Sequence, residues 1–119
     1  MPIDLFAEQL AKVRQRYAST LQGKIDDTYA ALPRLVGEET AVVDAVGEAY
    51  RRIHGISGVG PTVGFVATGQ AARATEAVLL APYKGRRGLT TEEITRLETT
   101  LGALRETAQR ELAAMSGSR

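Results

Sequence analysis

His54 is the residue of this sequence best suited to chemistry, and it is the only histidine among 119 residues. Neutral imidazole is a good nucleophile, and histidine side chains are ordinarily largely neutral at physiological pH. An exposed His54 can therefore attack phosphorus. The chain has no cysteine, and a lone histidine without thiolates argues against a metal centre. We therefore expect His54 to act as a nucleophile, with no metal site in this chain.

Three glycines lie along the helix that we expect around His54. Each of Gly47, Gly55 and Gly58 costs about 0.5 to 1 kcal/mol relative to alanine inside a helix, so each needs a local reason. Gly58 comes one turn after His54 on the same face, and Gly55 adjoins it. Clearance for a bulky partner at His54 is one such reason, and close helix packing is the other.

Regular structure must hold this nucleophile, and the first two helices are predicted on either side of Pro33. Helix one should span residues 4–32, because Pro33 forbids continuation and apolar residues recur at helical spacing. That stripe consists of Phe6, Leu10, Val13, Tyr17, Leu21, Ile25 and Leu32. After a turn over residues 33–39, helix two should carry His54 in its middle, exposed to solvent and to the side of the helix's own buried stripe. This second stripe consists of Val42, Val46, Ala49, Ile53 and Ile56.

The second half of the chain predicts two more helices. Three glycines and Pro61 within residues 58–64 should end helix two and reverse the chain. Helix three should then span residues 65–80, antiparallel to helix two, with small residues allowing close approach: Ala67, Ala71 and Ala74. A polar loop over residues 82–88 should lead to helix four.

Helix four should begin with a capping box of Thr90 and Glu93, accompanied by a hydrophobic staple of Leu89 and Ile94. Its buried stripe consists of Ile94, Leu97, Leu101, Leu104, Ala108 and Met115, and residues 116–119 should fray. Four amphipathic helices joined by short loops predict an all-α fold. We expect an antiparallel up-down-up-down four-helix bundle, formed by a single domain over residues 1–119.

Composition narrows the class of partner. Fifteen Lys and Arg against fourteen Asp and Glu give a net charge of +1, without the basic surplus that is typical of nucleic-acid binding. No apolar run approaches the roughly 18 residues of a membrane span, and the N-terminus lacks the pattern of a signal peptide. We expect a monomeric cytoplasmic protein that binds neither nucleic acid nor membrane.

The segment over residues 54–65, HGISGVGPTVGF, resembles the signature of histidine phosphotransfer domains. The positions that match it in register are His54, Ile56, Gly58, Gly60, Val63, Gly64 and Phe65. The family has lysine three positions after the histidine, where this chain has Ser57. It also tends to have an acidic or amide residue twenty-two positions after the histidine, where this chain has Glu76.

The resemblance implies that His54 is the phosphoacceptor, supported by Glu76, Ser57 and Gly58. If Glu76 faces His54 across the helix hairpin, its carboxylate accepts a hydrogen bond from Nδ1–H and leaves Nε2 free to react. A partner is then expected to contact the surface around the histidine: Gly47, Tyr50, Arg51, Gly55 and Arg73.

A phosphoryl carrier, not an enzyme, is what the resemblance implies. His54 would take a phosphoryl group from an aspartate of one response-regulator receiver domain and pass it to another, in a relay that a sensor histidine kinase starts. The chain has no nucleotide site or cofactor of its own, and the receiver would supply Mg²⁺. We expect a stand-alone carrier. The alternative is a non-phosphorylated helical interaction module that docks on a receiver or kinase and regulates it.

Ser57 in the lysine position keeps that alternative open and has an expected consequence for the carrier. A lysine ammonium there could reach a phosphoryl group on Nε2 and offset its negative charge. Serine is short and uncharged. Unless Arg51 or Arg73 substitutes for the lysine, phosphate should leave His54 up to about fivefold faster than from relatives that have the lysine.

Two glycine patterns suggest other functions, and the residues around them argue against both. Residues 58–64 have the spacing GxGxxxG after a helix, whereas a dinucleotide-binding loop has GxGxxG after a strand. Residues 85–88, GRRG, have the GxxG form of an RNA-clamping KH loop, but no segment alternates like the strands of a KH sheet. Binding of RNA also conflicts with the near-neutral charge.

Overall fold

A computed structural model gives the fold and describes residues 4–117. Within that range the chain forms four α-helices, two short 3₁₀ helices and no β-strand. The helices are α1 (Leu5–Ala31), α2 (Thr40–Val59), α3 (Val66–Gly85) and α4 (Thr91–Gly117), and the 3₁₀ turns span Leu32–Leu35 and Gly60–Val63. The predicted all-α class is confirmed. The four helices pack against one another, most extensively α2 with α3 and α3 with α4.

The starts of α1 and α4 follow from their capping residues. Oδ1 of Asp4 accepts a hydrogen bond from the backbone N–H of Ala7 at 3.1 Å. At α4, Oγ1 of Thr90 accepts from the backbone N–H of Glu93 at 3.1 Å, and Oε1 of Glu93 accepts from the backbone N–H of Thr90 at 2.9 Å. These reciprocal bonds satisfy N–H groups that the helix itself cannot. The predicted capping box is confirmed.

Apolar side chains from all four helices form one core. The largest fully buried ones are Leu21, Ile25, Leu35, Ile53, Ile56, Leu79, Leu97, Leu101 and Leu104. The predicted stripe of helix one is wrong in its first turns, where Phe6 is 76% and Val13 is 45% exposed. Arg14 already contacts the 3₁₀ turn, donating from Nε to the carbonyl of Val63 at 2.7 Å. The residues before Arg14 therefore lie past that turn, where α2 and α3 do not extend alongside them.

Helix α3 approaches its neighbour through small residues other than those predicted. The three predicted alanines are exposed or half-buried: Ala67, Ala71 and Ala74. Gly69 and Ala72 are buried instead. A Cβ on Gly69 would lie 2.7 Å from Cδ of Pro61, so the close approach occurs beside the turn. The predicted alanines therefore have the right spacing along the helix but lie on a different face from the buried small residues.

Helix α2 continues past Gly58 to Val59, and the reversal begins at Gly60. The predicted break at residue 58 is therefore two residues early, because glycine is tolerated in a helix at a modest cost. Gly60 is the position that excludes a side chain. A Cβ there would lie 2.8 Å from Oη of Tyr17 and 2.9 Å from the carbonyl oxygen of Phe65.

Helix α3 ends at Gly85, five residues after the predicted end, with Pro82 inside it. Proline removes one backbone donor and usually kinks or ends a helix. Here the helix continues past Pro82, and a residue after the helix caps its last turn. Arg86 adopts a left-handed conformation with φ 51°, and its N–H donates to the carbonyls of Pro82 and Tyr83. This C-terminal cap keeps Tyr83 within the helix, where it reaches the candidate site.

Helix α4 extends through Ser116 to Gly117, so the predicted fraying from Ser116 is wrong at these two residues. Residues 118 and 119 of the predicted tail lie outside the described residues. The side chain of Met115 is packed against the core, which supports the last turns. Across residues 4–117, no helix is both long and apolar enough to cross a membrane.

Candidate functional site

His54 and Glu76 face each other across α2 and α3. Nδ1 of His54 lies 2.8 Å from Oε2 of Glu76, and the two side chains are 62% and 19% exposed. An ionised carboxylate can only accept hydrogen bonds, so in the neutral ring of His54 Nδ1 carries the hydrogen and Nε2 keeps its lone pair. The predicted exposure of His54 and its predicted contact with Glu76 are confirmed. His54 lies in the C-terminal half of α2 and not in its middle.

Glu76 receives three hydrogen bonds from α2. Besides His54, Oγ of Ser57 donates to Oε1 at 2.6 Å, and the hydroxyl of Tyr50 donates to Oε2 at 3.3 Å. Burial raises the pKa of Glu76, but the hydrogen bonds from Ser57, His54 and Tyr50 and the charge of His54 outweigh it and lower the pKa below its ordinary value. Glu76 is therefore an ionised carboxylate that is well supplied with donors.

A ladder of aromatic rings continues from the histidine. The ring of Tyr50 is stacked on that of His54 with centroids 5.7 Å apart, and on that of Tyr83 with centroids 4.2 Å apart. Burial and the charge of Glu76 raise the pKa of Tyr50, so its hydroxyl keeps the hydrogen that it donates. Tyr83 was missed by the sequence analysis. Its signal was the spacing of seven residues after Glu76, which places both side chains on one face of a helix.

The glycines near His54 differ in what surrounds them. A Cβ added to Gly55 or Gly58 would meet no atom within 4 Å, so open space adjoins the imidazole as predicted. Gly47 lies two turns earlier, and a Cβ there would lie 3.2 Å from Nη1 of Arg51. Clearance beside His54 therefore accounts for Gly55 and Gly58 but not for Gly47.

Within the described residues, neither of the two arginines that the sequence offered as substitutes for the lysine forms a hydrogen bond to His54. Arg51 extends back along α2 toward Gly47 and lines a groove together with Tyr83 and Arg86. Arg73 is exposed on α3. Within residues 4–117 neither arginine forms an ion pair, and no hydrogen bond occupies Nε2 of the histidine.

The basic loop at residues 85–88 is tied to the start of α4. Nη1 and Nη2 of Arg87 donate to the two carboxylate oxygens of Glu93 at 2.8 and 3.0 Å. These bonds lower the pKa of Glu93 to about 2, and the hydrogen bond from the backbone N–H of Thr90 acts in the same direction. Burial acts in the opposite direction but is outweighed. Arg87 is thus engaged in a structural bond.

The arrangement as a whole can present a neutral imidazole, protonated at Nδ1, to an electrophile. Over the described part of the chain, no three His, Cys, Asp or Glu side chains are grouped so that they could hold a metal ion. No protein-family model matches this chain, and comparisons with curated proteins and with solved structures found no significant match.

Proposed function

We propose that this protein is a histidine-containing phosphotransfer protein, which accepts a phosphoryl group on Nε2 of His54 from a receiver aspartate and passes it to another receiver. The observation that carries this proposal is the bond between Nδ1 and Glu76 on a histidine that is 62% exposed. That bond leaves Nε2 as the nucleophilic atom. The resemblance of residues 54–65 to the phosphotransfer signature supports the same function.

The transfer needs no base from this chain. The lone pair of Nε2 forms a bond to phosphorus while the bond between phosphorus and the acyl oxygen breaks, and that electron pair leaves with the receiver's aspartate carboxylate. Nδ1 keeps its proton, so the ring becomes a phosphorylated imidazolium. Its positive charge then lies beside the Glu76 carboxylate, 2.8 Å from Nδ1, and this contact stabilises it. Transfer to a second receiver reverses the same step.

The proposed role is that of a carrier and not of an enzyme. This chain supplies the nucleophile and its positioning, and the receiver supplies the Mg²⁺ and most of the charge stabilisation. The open space beside Gly55 and Gly58 would admit the receiver's active site. Receiver domains and a sensor histidine kinase are the proposed partners, and the cytoplasm is the proposed compartment.

The proposal includes the antiparallel up-down-up-down arrangement of the four helices as a bundle. Neighbouring residues across α2 and α3 support it, because their numbers rise along one helix as they fall along the other. These pairs are Tyr50 with Tyr83 and His54 with Glu76, and Gly60, which directly follows α2, lies beside Gly69 of α3.

Transfer between purified proteins tests the proposal. Each receiver domain of the host, phosphorylated beforehand, is mixed with the chain, and the label is followed by electrophoresis after acid and after base treatment. We expect at least one receiver to transfer an acid-labile, base-stable label to the wild-type chain and none to label His54→Gln. A receiver that binds the wild-type chain without labelling it would instead support the non-phosphorylated interaction module.

A further inference from the structure

Ser57 stands where the phosphotransfer signature has lysine, yet its side chain is buried, with 4% of the residue exposed. Its Oγ lies 2.6 Å from Oε1 of Glu76, a length typical of a hydroxyl bound to an ionised carboxylate. The backbone carbonyl of His54 is a second acceptor, at 3.0 Å. Because a hydroxyl has one hydrogen to donate, the shorter bond to the charged acceptor takes it.

The two oxygens of Glu76 therefore have different partners. Oε1 binds Ser57, whereas Oε2 binds Nδ1 of His54 and the hydroxyl of Tyr50. A glutamate side chain has several rotatable bonds, and ordering it costs conformational entropy. Since the carboxylate is planar, fixing Oε1 also sets the direction of Oε2. Tyr50 binds the same oxygen as His54 at the longer distance of 3.3 Å, so it does not define this orientation by itself.

We propose that Ser57 is a positioning residue, whose buried hydroxyl holds the Glu76 carboxylate toward Nδ1 of His54 and thereby determines which imidazole nitrogen is presented for phosphorylation. This inference rests on the proposed function for its purpose. Ser57 acts on the imidazole indirectly, through its hydrogen bond to Glu76. A lysine at the same position would act on the phosphoryl group itself.

The ionisation of Glu76 supports the same role. Burial raises the pKa of this carboxyl group, and the hydrogen bond from Ser57 is the largest effect that lowers it. A protonated Glu76 could donate to Nδ1 and would then favour the tautomer with hydrogen on Nε2. The bond from Ser57 favours the ionised form of Glu76, which can only accept hydrogen bonds, so this effect acts in the same direction as the geometry and favours hydrogen on Nδ1.

The tautomer of His54 is the measurement that separates positioning from general stability. In protein labelled with ¹⁵N on the ring, long-range ¹H–¹⁵N correlations report the populations of the two neutral tautomers in a buffer of about pH 8.5, about two pH units above the ordinary pKa of histidine side chains. We expect wild type to hold hydrogen mainly on Nδ1. In Ser57→Ala the ratio should shift about fivefold toward hydrogen on Nε2, the effect of losing one ordinary hydrogen bond.

Two further variants complete the design. Ser57→Thr keeps the hydroxyl and should return the wild-type ratio. Thr75→Ala removes a buried hydroxyl from the residue beside Glu76, one that donates to the carbonyl of Ala71, so it should lower the melting temperature without changing the tautomer of His54. An unchanged ratio in Ser57→Ala, or an equal change in Thr75→Ala, would overturn the inference. Because alanine is smaller than serine and a better helix former, Ser57→Ala is expected to fold.

This experiment uses unphosphorylated protein and needs no partner. Its result therefore stands whether or not a receiver transfers phosphate to His54. A shifted tautomer ratio without any phosphotransfer would support the role of Ser57 and contradict the proposed function, and phosphotransfer with an unchanged ratio would do the opposite.

Discussion

Nδ1 of His54 and Oε2 of Glu76 lie 2.8 Å apart, although the two residues are on different helices and their side chains are 62% and 19% exposed. The acceptor is thus held at the interface of α2 and α3 while the imidazole projects toward solvent. Packing of α2 against α3 sets the position of the Glu76 carboxylate, and the carboxylate sets the orientation of the His54 ring. The ring then presents Nε2 to solvent. Each link can be tested separately.

Glu76→Gln tests the charge of the carboxylate. Glutamine can still accept a hydrogen bond from Nδ1–H, but it cannot offset the charge of a phosphorylated imidazolium. We expect phosphorylation of His54 by phosphoramidate to slow by about tenfold, because a hydrogen bond to a charged acceptor is worth about 1 to 1.5 kcal/mol more than one to a neutral acceptor. Glu48→Gln removes the same charge from an exposed position of α2 and should leave the rate unchanged. Equal rates for Glu76→Gln and wild type would refute the role of the charge.

Gly58→Leu tests the open space beside His54. A Cβ at Gly58 meets no atom within 4 Å, so leucine should fold and should obstruct a receiver but not the small donor phosphoramidate. Transfer from a receiver should fall more than tenfold, the cost of misplacing the reacting groups. Unimpaired transfer from the receiver would show that the partner approaches from another side.

Two alanine variants calibrate the fold around that glycine. Gly58→Ala should raise the free energy of unfolding by about 0.5 to 1 kcal/mol, because the helix gains a better former. Gly60→Ala should lower it by about 1 to 3 kcal/mol, since its Cβ would lie 2.8 Å from Oη of Tyr17 and 2.9 Å from the carbonyl of Phe65. Thermal unfolding of both variants measures the difference, and equal stabilities would contradict the packing of the turn.

Ser57→Lys tests the missing charge near the phosphoryl group. An ammonium on a long stem can reach past Glu76 to Nε2, so loss of phosphate from His54 should slow by at most about fivefold. Ser57→Met, with similar length and no charge, is the matched control. Arg51→Ala should leave the decay unchanged, because the guanidinium lies beside Gly47. Decay of the purified phosphoprotein at moderate ionic strength decides between these outcomes, and slower decay in Ser57→Met as well would exclude the charge as the cause.

Acid titration tests the bond between Glu93 and Arg87. The pKa of Glu93 is lowered to about 2, so this carboxylate contributes stability at pH values above its ordinary 4.5 and loses it as the pH falls toward 2. Glu93→Gln keeps an acceptor for the Thr90 N–H but does not titrate, so its deficit in melting temperature should shrink over that window. Glu93→Ala also loses the hydrogen bond from the Thr90 N–H, which costs about 1 kcal/mol at every pH. A deficit of Glu93→Gln that stays constant with pH would contradict the ion pair.

The sequence was sufficient for the parts of the fold that local patterns determine. Residues within a few turns of one another determine the stripes of α2 and α4, the capping box of Thr90 and Glu93, and the end of α1 at Ala31, two residues before Pro33. The end of α3 is not determined in this way, because the helix continues through Pro82 to Gly85 and is capped by Arg86 in a left-handed conformation, which nothing in the local sequence requires.

Exposure of the first turns of α1 was likewise beyond a periodicity argument. Phe6 and Val13 have helical spacing, but whether another helix covers them depends on where α2 and α3 end.

The candidate site shows the same division. The motif located His54 and the spacing to Glu76, and both are where they were expected. The contacts of Ser57 and Tyr83 with the site depend on the register between α2 and α3, which local patterns do not determine; for Tyr83 the spacing of seven residues after Glu76 was the one available signal. Ser57 was interpreted only as an absent lysine, whereas its hydroxyl lies 2.6 Å from Glu76.

The atom that carries the phosphoryl group after transfer from a receiver is the most direct test of the proposed function. In a ¹H–³¹P correlation spectrum, phosphorus on Nε2 couples to the protons on both neighbouring ring carbons, Hδ2 and Hε1, whereas phosphorus on Nδ1 couples to Hε1 alone. We expect one phosphorus signal with both correlations in wild type and none in His54→Gln. The free energy of unfolding of His54→Gln should equal that of wild type within about 0.5 kcal/mol, because the side chain is exposed. Coupling to Hε1 alone, or a phosphorus signal that persists in His54→Gln, would contradict transfer through Nε2 of His54.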